Sequence, residues 1–347
     1  MPNTIEAGTL RLGKDLNLYE KTKRGWKKSK NKISNILEAI KLFKSHGNFK
    51  ELIDQKNQRF LKGQLSPENK VQGARINILP NGQILDKAFS LFAPKLTFHD
   101  ESSHDHWDVI YQNPNGKFAY CYTIDKKKKA TKNKYQKVKE FEKKYSLLNK
   151  NVLEALSKKD ETALPMYTLL KTYMRVGNEI YYKSTGHKGL TTLTKKDIGI
   201  EKNKVTFNYL AKNGVPMTIS EEFPKEYIKR LKEKLAEKNQ SEFVFTNNKG
   251  APLKDTDFMH AFEEYCGERF YPHIVRSFYA TEEAKKFISL HKKASKEEIK
   301  ELFTKIAEKL GHKRFDKKHN EWKDSYAVTI HHYIKPEFVE KINNLVI

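Results

Sequence analysis

Cysteine is nearly absent: Cys121 and Cys266 are the only two in 347 residues, far apart and without metal-ligand spacing. That excludes a disulfide framework and a zinc finger, and it fits a reducing compartment. No run of about 18 apolar residues occurs, so no membrane span is expected. Met1 to Leu10 lack a basic head followed by an apolar stretch, so no secretory signal is expected either. No internal repeat of solenoid or propeller period is present. Arginine is scarce as well: there are nine, leaving 58 of the 67 basic residues as lysine. Each arginine is therefore a candidate for work that needs a planar, forked guanidinium.

What the chain has in excess is positive charge, +24 net, with 20 Phe and 17 Tyr among 37% hydrophobic residues. The aromatics argue against disorder, and the length allows two domains with cores of their own. A surface this positive attracts polyanions, of which nucleic acid is the common intracellular one. The rival reading is a lysine-rich protein kept in solution by its charge.

The pattern along the chain reads as α+β: a small β-rich N-terminal domain followed by a larger, mainly α-helical domain with one β-hairpin. Residues 1–70 form a basic N-terminal extension, expected to be helical from the apolar spacing between Ile33 and Phe43. Residues 71–128 carry short apolar runs between turn signals, and the runs flanking Asn113-Pro-Asn-Gly116 predict a hairpin. The basic run from Asp125 to Lys134 lacks apolar spacing and reads as a linker. Residues 134–347 then turn helical. Helical spacing marks Thr168–Met174, and Asp257–Cys266 follows a cap at Asp255 or Thr256. Ser295 with Glu298 predicts a capped helix that stops at Gly311. Within this region, Val205–Tyr209, Asn213-Gly214 and Val215–Ile219 predict the single hairpin.

Cutting a phosphodiester without a metal requires a nucleophile, cations for the developing charge, a proton for the leaving oxygen, and a grip on the substrate. Arg175 follows a predicted helix and could grip two phosphate oxygens. Lys212 sits at the hairpin tip, beside Asn213-Gly214. His273 and Arg276 share a face if helical. His312 follows the Gly311 stop and could donate to a phosphate oxygen, and Tyr333 is a late tyrosine, a poor nucleophile unless flanked by cations that favour its phenolate. Each is weak alone, since an arginine near a helix end or a histidine after a glycine is ordinary. Their order in one chain is the signal.

That order resembles the small type IB DNA topoisomerases of poxviruses and bacteria. Arg175-Val-Gly-Asn-Glu179 with Gly189-Leu-Thr-Thr-Leu193 is similar to the family's signature around its first catalytic arginine. Ala211-Lys-Asn-Gly214 resembles the hairpin bearing its general-acid lysine. His273-Ile-Val-Arg276 resembles the second-arginine motif, with histidine where small topoisomerases commonly have lysine and tyrosine recombinases have histidine. Leu310-Gly-His312 resembles the poxvirus form of the next motif. Ala327-Val328 followed by Tyr333-Ile-Lys-Pro336 resembles the bacterial nucleophile segment, with Tyr326 as the rival nucleophile and a charged insertion from Lys313 to Asp324 between the motifs. Gly116–Tyr122 resembles the strand that presents tyrosines to DNA, and the likeness runs from about residue 105 to the end.

The resemblance implies a clamp that acts as a monomer on double-stranded DNA, with no obligate protein partner, no membrane, and neither ATP nor metal. It implies attack by Tyr333 to give a 3′-phosphotyrosyl link, with Arg175, Arg276 and His312 stabilising the transition state. Lys212 would protonate the leaving oxygen, and His273, Tyr120, Tyr122, Tyr181 and Asn178 would contact DNA. The expected location is a DNA-containing intracellular compartment. A site-specific tyrosine recombinase and a non-catalytic basic DNA-binding protein are the alternatives.

Overall fold

The computed structural model describes residues 5–30, 34–73, 75–99 and 107–347. Ile33, where the expected amphipathic stretch begins, and residues 105–106 lie outside them. The chain divides into two compact units, residues 1–133 and 134–347. Among the described residues no helix is long and apolar enough to cross a membrane.

Among the described residues the first unit holds ten short strands. A five-stranded antiparallel sheet is formed by β1 (Leu10–Leu12), β2 (Leu18–Thr22), β3 (Gly25–Lys28), β4 (Gln64–Leu65) and β5 (Val71–Gln72), in the order β3-β2-β1-β4-β5. Helix α1 (Ser34–Ser45) packs Ile36, Ala39, Ile40 and Phe43 into the core. The expectation of a helical extension over 1–70 is thus corrected: among the described residues there, only α1 and one 3-10 turn are helical, because the apolar residues on either side of α1 alternate in short strands. Nor does a separate domain begin at residue 71, since Leu12, Leu18 and Ile40 share one core with Phe89, Val109 and Cys121. Pairs β6 (Ile76–Ile78) with β7 (Ile84–Phe89), and β8 (Thr97–Phe98) with β9 (Val109–Gln112) and β10 (Phe118–Cys121), complete this unit. The Asn113–Gly116 turn joins β9 to β10 as the sequence predicts, with Gln112 opposite Phe118.

The basic run 125–134 is helix, not linker, and opens α2 (Ile124–Ser157). Lysine is a good helix former, and a turn exposed on every side shows no apolar period. The division between the units falls within this helix.

The second unit holds α3 (Ala163–Thr172), α4 (Glu179–Thr185), α5 (Lys225–Ala236), α6 (Asp255–Cys266), α7 (Ile274–Leu290), α8 (Lys296–Lys309), α9 (Ala327–His332) and α10 (Pro336–Asn343) and a three-stranded sheet. That sheet is β11 (Ile198–Glu201), β12 (Lys204–Ala211) and β13 (Val215–Glu222), and its long β12–β13 hairpin turns at Lys212–Gly214. Tyr135, Val138, Phe141, Leu148 and Val152 of α2 line one face at helical spacing. Phe141 meets Phe262, Phe270 and Phe278 edge-on, with ring centroids 5.8, 5.1 and 5.2 Å away. A second cluster packs Ala280 and Ala284 of α7 against Ile299, Phe303 and Ile306 of α8, and it includes Tyr333 and Ile334.

The caps follow the sequence closely. The Ser295 hydroxyl accepts from Glu298 N at 3.2 Å, and the Glu298 carboxylate accepts from Ser295 N at 2.7 Å. Gly311, at φ +66, ends the turn after α8. At α6 the cap is one residue earlier than expected, with Asp257 accepting from Lys254 N. The Lys313–Asp324 insertion is a hairpin of β14 (Lys313–Asp316) and β15 (Glu321–Asp324).

Candidate active site

Arg175 is placed by two glycines. After α3 the chain turns through Tyr173 in the left-handed region, and Gly177 takes φ +104. Gly189 then lies so close that a side chain there would meet Arg175 O at 2.6 Å and Gly177 Cα at 2.7 Å. This approach lets Leu190 N donate to Arg175 O (2.8 Å) and Thr191 N to Val176 O (2.7 Å). The Gly189–Leu193 segment therefore fixes the backbone of the Arg175 segment. Lys188 anchors it below through a nearly buried ion pair with Asp197 at 2.5 Å.

Arg276 stands in the first turn of α7 and is 3% exposed. Its guanidinium donates to Tyr173 O, to Leu310 O (2.6 Å) and to His312 Nε2 (3.2 Å). An arginine can only donate, so Nε2 accepts. The His312 proton then sits on Nδ1, facing Thr329 Oγ1 at 2.8 Å. Burial, with Arg276 and Arg175 nearby, pulls the His312 pKa down to about 3, which keeps the ring neutral. The sequence reading had His312 donating to a phosphate. In the protein alone it is an acceptor that orients Arg276.

Tyr333 caps α9 and is 3% exposed. Its hydroxyl oxygen accepts from Arg175 NH2 at 3.0 Å. The His312 and His273 rings lie 4.6 and 5.2 Å from its ring, and the Arg276 guanidinium lies 5.3 Å from the centroid. His273 is the N-cap of α7 in helical conformation, and Arg276 N donates to its carbonyl at 3.3 Å, so the two stand one turn apart. Burial first, then Arg276, Arg175, Lys134 and Lys212, lower its pKa to about 3. Tyr326, the rival, caps the other end of α9, with its ring 6.0 Å from Phe303.

Lys212 is exposed at the hairpin tip and lines the same clefts as Arg175 and Arg276. One cleft, about 140 Å³, is lined by Arg175, Lys188, Lys212, Arg276, Lys309 and Lys313 and by no carboxylate. A neighbouring one of about 280 Å³ adds Asn178, Tyr181 and His273, with Asp255 as its acid. The Arg276 Nε–H is buried without an acceptor among the described residues. Lys188 and Lys309 are paired with Asp197 and Glu221, and the remaining cations with the unpartnered donor are of the kind that suits an anion such as phosphate. Asn178 acts as a cap, its side chain accepting from Tyr181 N at 2.9 Å.

Tyr120 and Tyr122 belong to the first unit. Tyr120 and Phe118 are each 42% exposed on one face of β10, with the Lys95 ammonium 5.6 Å from the Phe118 ring. Phe118 escaped the sequence reading, although its i, i+2 spacing to Tyr120 marks it. Lys134 escaped too: its ammonium lies 5.3 Å from the Tyr333 centroid. Among the described residues, Asp316, His319 and Glu321 are near enough together to hold a cation. Hydrogen bonds from Lys323 and His319 already occupy Asp316 and hold its carboxyl down to about 2.

The family model for the eukaryotic DNA topoisomerase I catalytic core matches residues 123–336. All the site residues of the second unit fall inside that range, and Tyr120 and Tyr122 fall just before it. A DNA topoisomerase 1B of Acanthamoeba polyphaga mimivirus is 26% identical over 223 residues, which cover 59% of this chain and 66% of that protein. Two solved structures of XerH site-specific recombinase are 20% and 18% identical, each with a TM-score of 0.31. One is a post-cleavage complex with a palindromic difH substrate, the other a pre-cleavage complex with difH. They cover 48% and 50% of this chain and 44% and 50% of their own. The chain thus spans just under two thirds of the viral relative's length and half or less of the recombinases'.

Proposed function

The chain belongs to the family of the eukaryotic DNA topoisomerase I catalytic core, and from that premise we propose that it relaxes supercoiled double-stranded DNA as a type IB topoisomerase. The observation that carries this reading is the Tyr333 hydroxyl held on Arg175, with Arg276 and His312 against the same ring. A scissile phosphate bound in the cation-lined cleft would lie beside that hydroxyl. The Tyr333 oxygen gives up its proton to solvent water and bonds to phosphorus, and the bond to the 5′ oxygen breaks. Lys212, on its mobile-length side chain at the hairpin tip, supplies the proton that makes a 5′-hydroxyl. Arg175 and Arg276 neutralise the charge that develops on the phosphoryl oxygens. His312 keeps Arg276 in place through Nε2. The strand is then joined to the protein through a 3′-phosphotyrosyl ester, which stores the energy of the broken bond. Rotation of the free end relaxes the duplex, and the hydroxyl attacks back. This cycle needs neither ATP nor a metal, and it is complete in one copy of the chain.

The test is relaxation of supercoiled plasmid in EDTA without ATP, comparing the wild type with Tyr333→Phe and Tyr326→Phe. The wild type and Tyr326→Phe are expected to relax it and to form an adduct trapped by denaturant, and Tyr333→Phe to do neither. Relaxation by Tyr333→Phe would overturn the nucleophile. His273 beside Tyr333 favours the recombinase as the second reading, which predicts joining at paired specific sites without relaxation. Binding with no adduct in any variant would leave a non-catalytic DNA-binding protein.

A further inference from the structure

Helix α9 stops at His332, and the last carbonyls of a helix have no partner inside it. Here the carbonyls of His332, Tyr333 and Ile334 are all met by side chains from distant elements. Lys134 Nζ donates to His332 O, Thr281 Oγ1 to Tyr333 O at 3.5 Å, and the Tyr135 hydroxyl to Ile334 O at 2.6 Å. Lys134 and Tyr135 are consecutive on α2, nearly 200 residues away in sequence, and they grip the main chain on both sides of Tyr333. The same Lys134 ammonium lies 5.3 Å from the centroid of the Tyr333 ring.

We propose that Lys134 and Tyr135 are positioning residues for the nucleophile, holding the turn around Tyr333 so that its hydroxyl stays on Arg175. The inference rests on the proposed function for its catalytic meaning, and on the contacts alone for its geometry.

Both contacts are more than filling. A buried hydroxyl costs stability unless it is hydrogen-bonded, and the bond to Ile334 O offsets that cost for Tyr135, which is 7% exposed. Lys134 acts on His273 together with Arg276, Arg175 and Lys212, and it lies against His332 and Tyr333 at the end of α9. A further cation there is unfavourable unless it has an electron-rich face to sit on, and the tyrosine ring supplies one. Burial pulls the Lys134 pKa down to about 8. Its charge is therefore mostly present at neutral pH and lost as pH rises through that value. Displacing a nucleophile by about 1 Å costs about a hundredfold in rate, so the two donors act on the quantity to which the reaction is most sensitive.

The experiment uses the full chain and three variants, Lys134→Met, Lys134→Arg and Tyr135→Phe. Single-turnover cleavage of a duplex is read as denaturant-trapped adduct across pH, beside duplex affinity and the melting temperature. In parallel, nitration of Tyr333 by tetranitromethane is followed by peptide mapping in the DNA-free protein. Lys134→Met and Tyr135→Phe are expected to cleave about 10- to 100-fold more slowly, with affinity within about threefold and Tyr333 nitrated faster. The wild-type rate is expected to fall above about pH 8, and Lys134→Arg to restore most of the rate and to lack that fall. Wild-type cleavage in Lys134→Met and Tyr135→Phe overturns the proposal. So does slowed cleavage with Tyr333 nitration and the pH profile both unchanged. If the wild type forms no adduct at all, the functional reading fails, and the nitration rates alone decide whether these residues hold the turn.

Discussion

Tyr120 and Tyr333 are both tyrosines among lysines, but the two units treat them in opposite ways. Tyr120 lies on the open face of β10 beside Phe118, 42% exposed, with Lys87 donating to its carbonyl at 3.3 Å. Tyr333 is 3% exposed, its hydroxyl on Arg175 and its ring among His273, His312, Arg276 and Lys134. An exposed aromatic strip can meet a backbone in many registers, and its cations are screened by salt. A buried hydroxyl has one geometry, and the charges around it act in a low-dielectric setting where each counts for more. Under the proposed function, the strip would hold the duplex and the buried site would react with it.

The comparison breaks if the strip controls the chemical step. Arg276→Ala is expected to slow cleavage by about 10²–10³, the usual effect of removing one donor from a charge-stabilising site. Arg175→Ala is expected to slow it about 10- to 100-fold, in line with one charge-assisted bond of about 1.5–3 kcal/mol. Single-turnover adduct formation at saturating enzyme checks both. Phe118→Ala and Tyr120→Ala should leave that rate unchanged. A slower rate in either would erase the distinction between holding and reacting.

A second difference is in pH. Each of His273 and His312 has a folded pKa of about 3, against about 6.5 when unfolded. Between those values the unfolded chain binds more protons, so stability rises with pH and is lost as pH falls below about 6.5. His312 alone is expected to account for about 2 kcal/mol between pH 7 and 5, and the half-buried His273 for less. Denaturant melts of the full chain at both pH values check this, with His312→Asn expected to flatten the dependence. A dependence unchanged in His312→Asn would mean that His312 is not the buried neutral ring described.

The strip should show the smaller effects. Phe118→Ala and Tyr120→Ala are each expected to weaken duplex binding about fivefold, the effect of about 1 kcal/mol at an exposed contact. Titrations over a range of salt check this, and unchanged affinity in both would remove the strip from the interface.

Much of the second unit was legible in the sequence, for identifiable reasons. Ser295 with Glu298, Gly311, and the β12–β13 turn each carry a local rule that the fold obeys. The ordered residues Arg175, Lys212, Arg276, His312 and Tyr333 do line adjoining clefts or touch one another. What escaped depends on partners far away in the chain. The run from Asp125 to Lys134 has no apolar period because most of it faces solvent, with Lys126, Thr131 and Lys134 half-buried, so a helix read as a linker. With it went Lys134, whose importance lies in a carbonyl nearly 200 residues on. The donor and acceptor roles of His312 follow from Arg276 and Thr329, which no spacing reveals. The strands of residues 10–28 were missed because they are short and read beside a stronger helical signal in α1.

Tyr326 gives the finest test of the comparison, because it lies between the two cases. It is half-buried, like many structural tyrosines, and only one short helix from Tyr333. Its ring packs toward Phe303 within the cluster of α7 and α8, whereas Tyr333 stands at the far end of α9 among the cations. If reaction requires the buried cation-lined setting and not merely a tyrosine near His312, Tyr326→Phe removes one hydroxyl from the wrong end of the helix. Cleavage should then stay within about twofold of wild type, and melting within about 0.5 kcal/mol. A loss of adduct in Tyr326→Phe comparable to that in Tyr333→Phe would mean that α9 moves on binding DNA and that the resting geometry is not the reacting one.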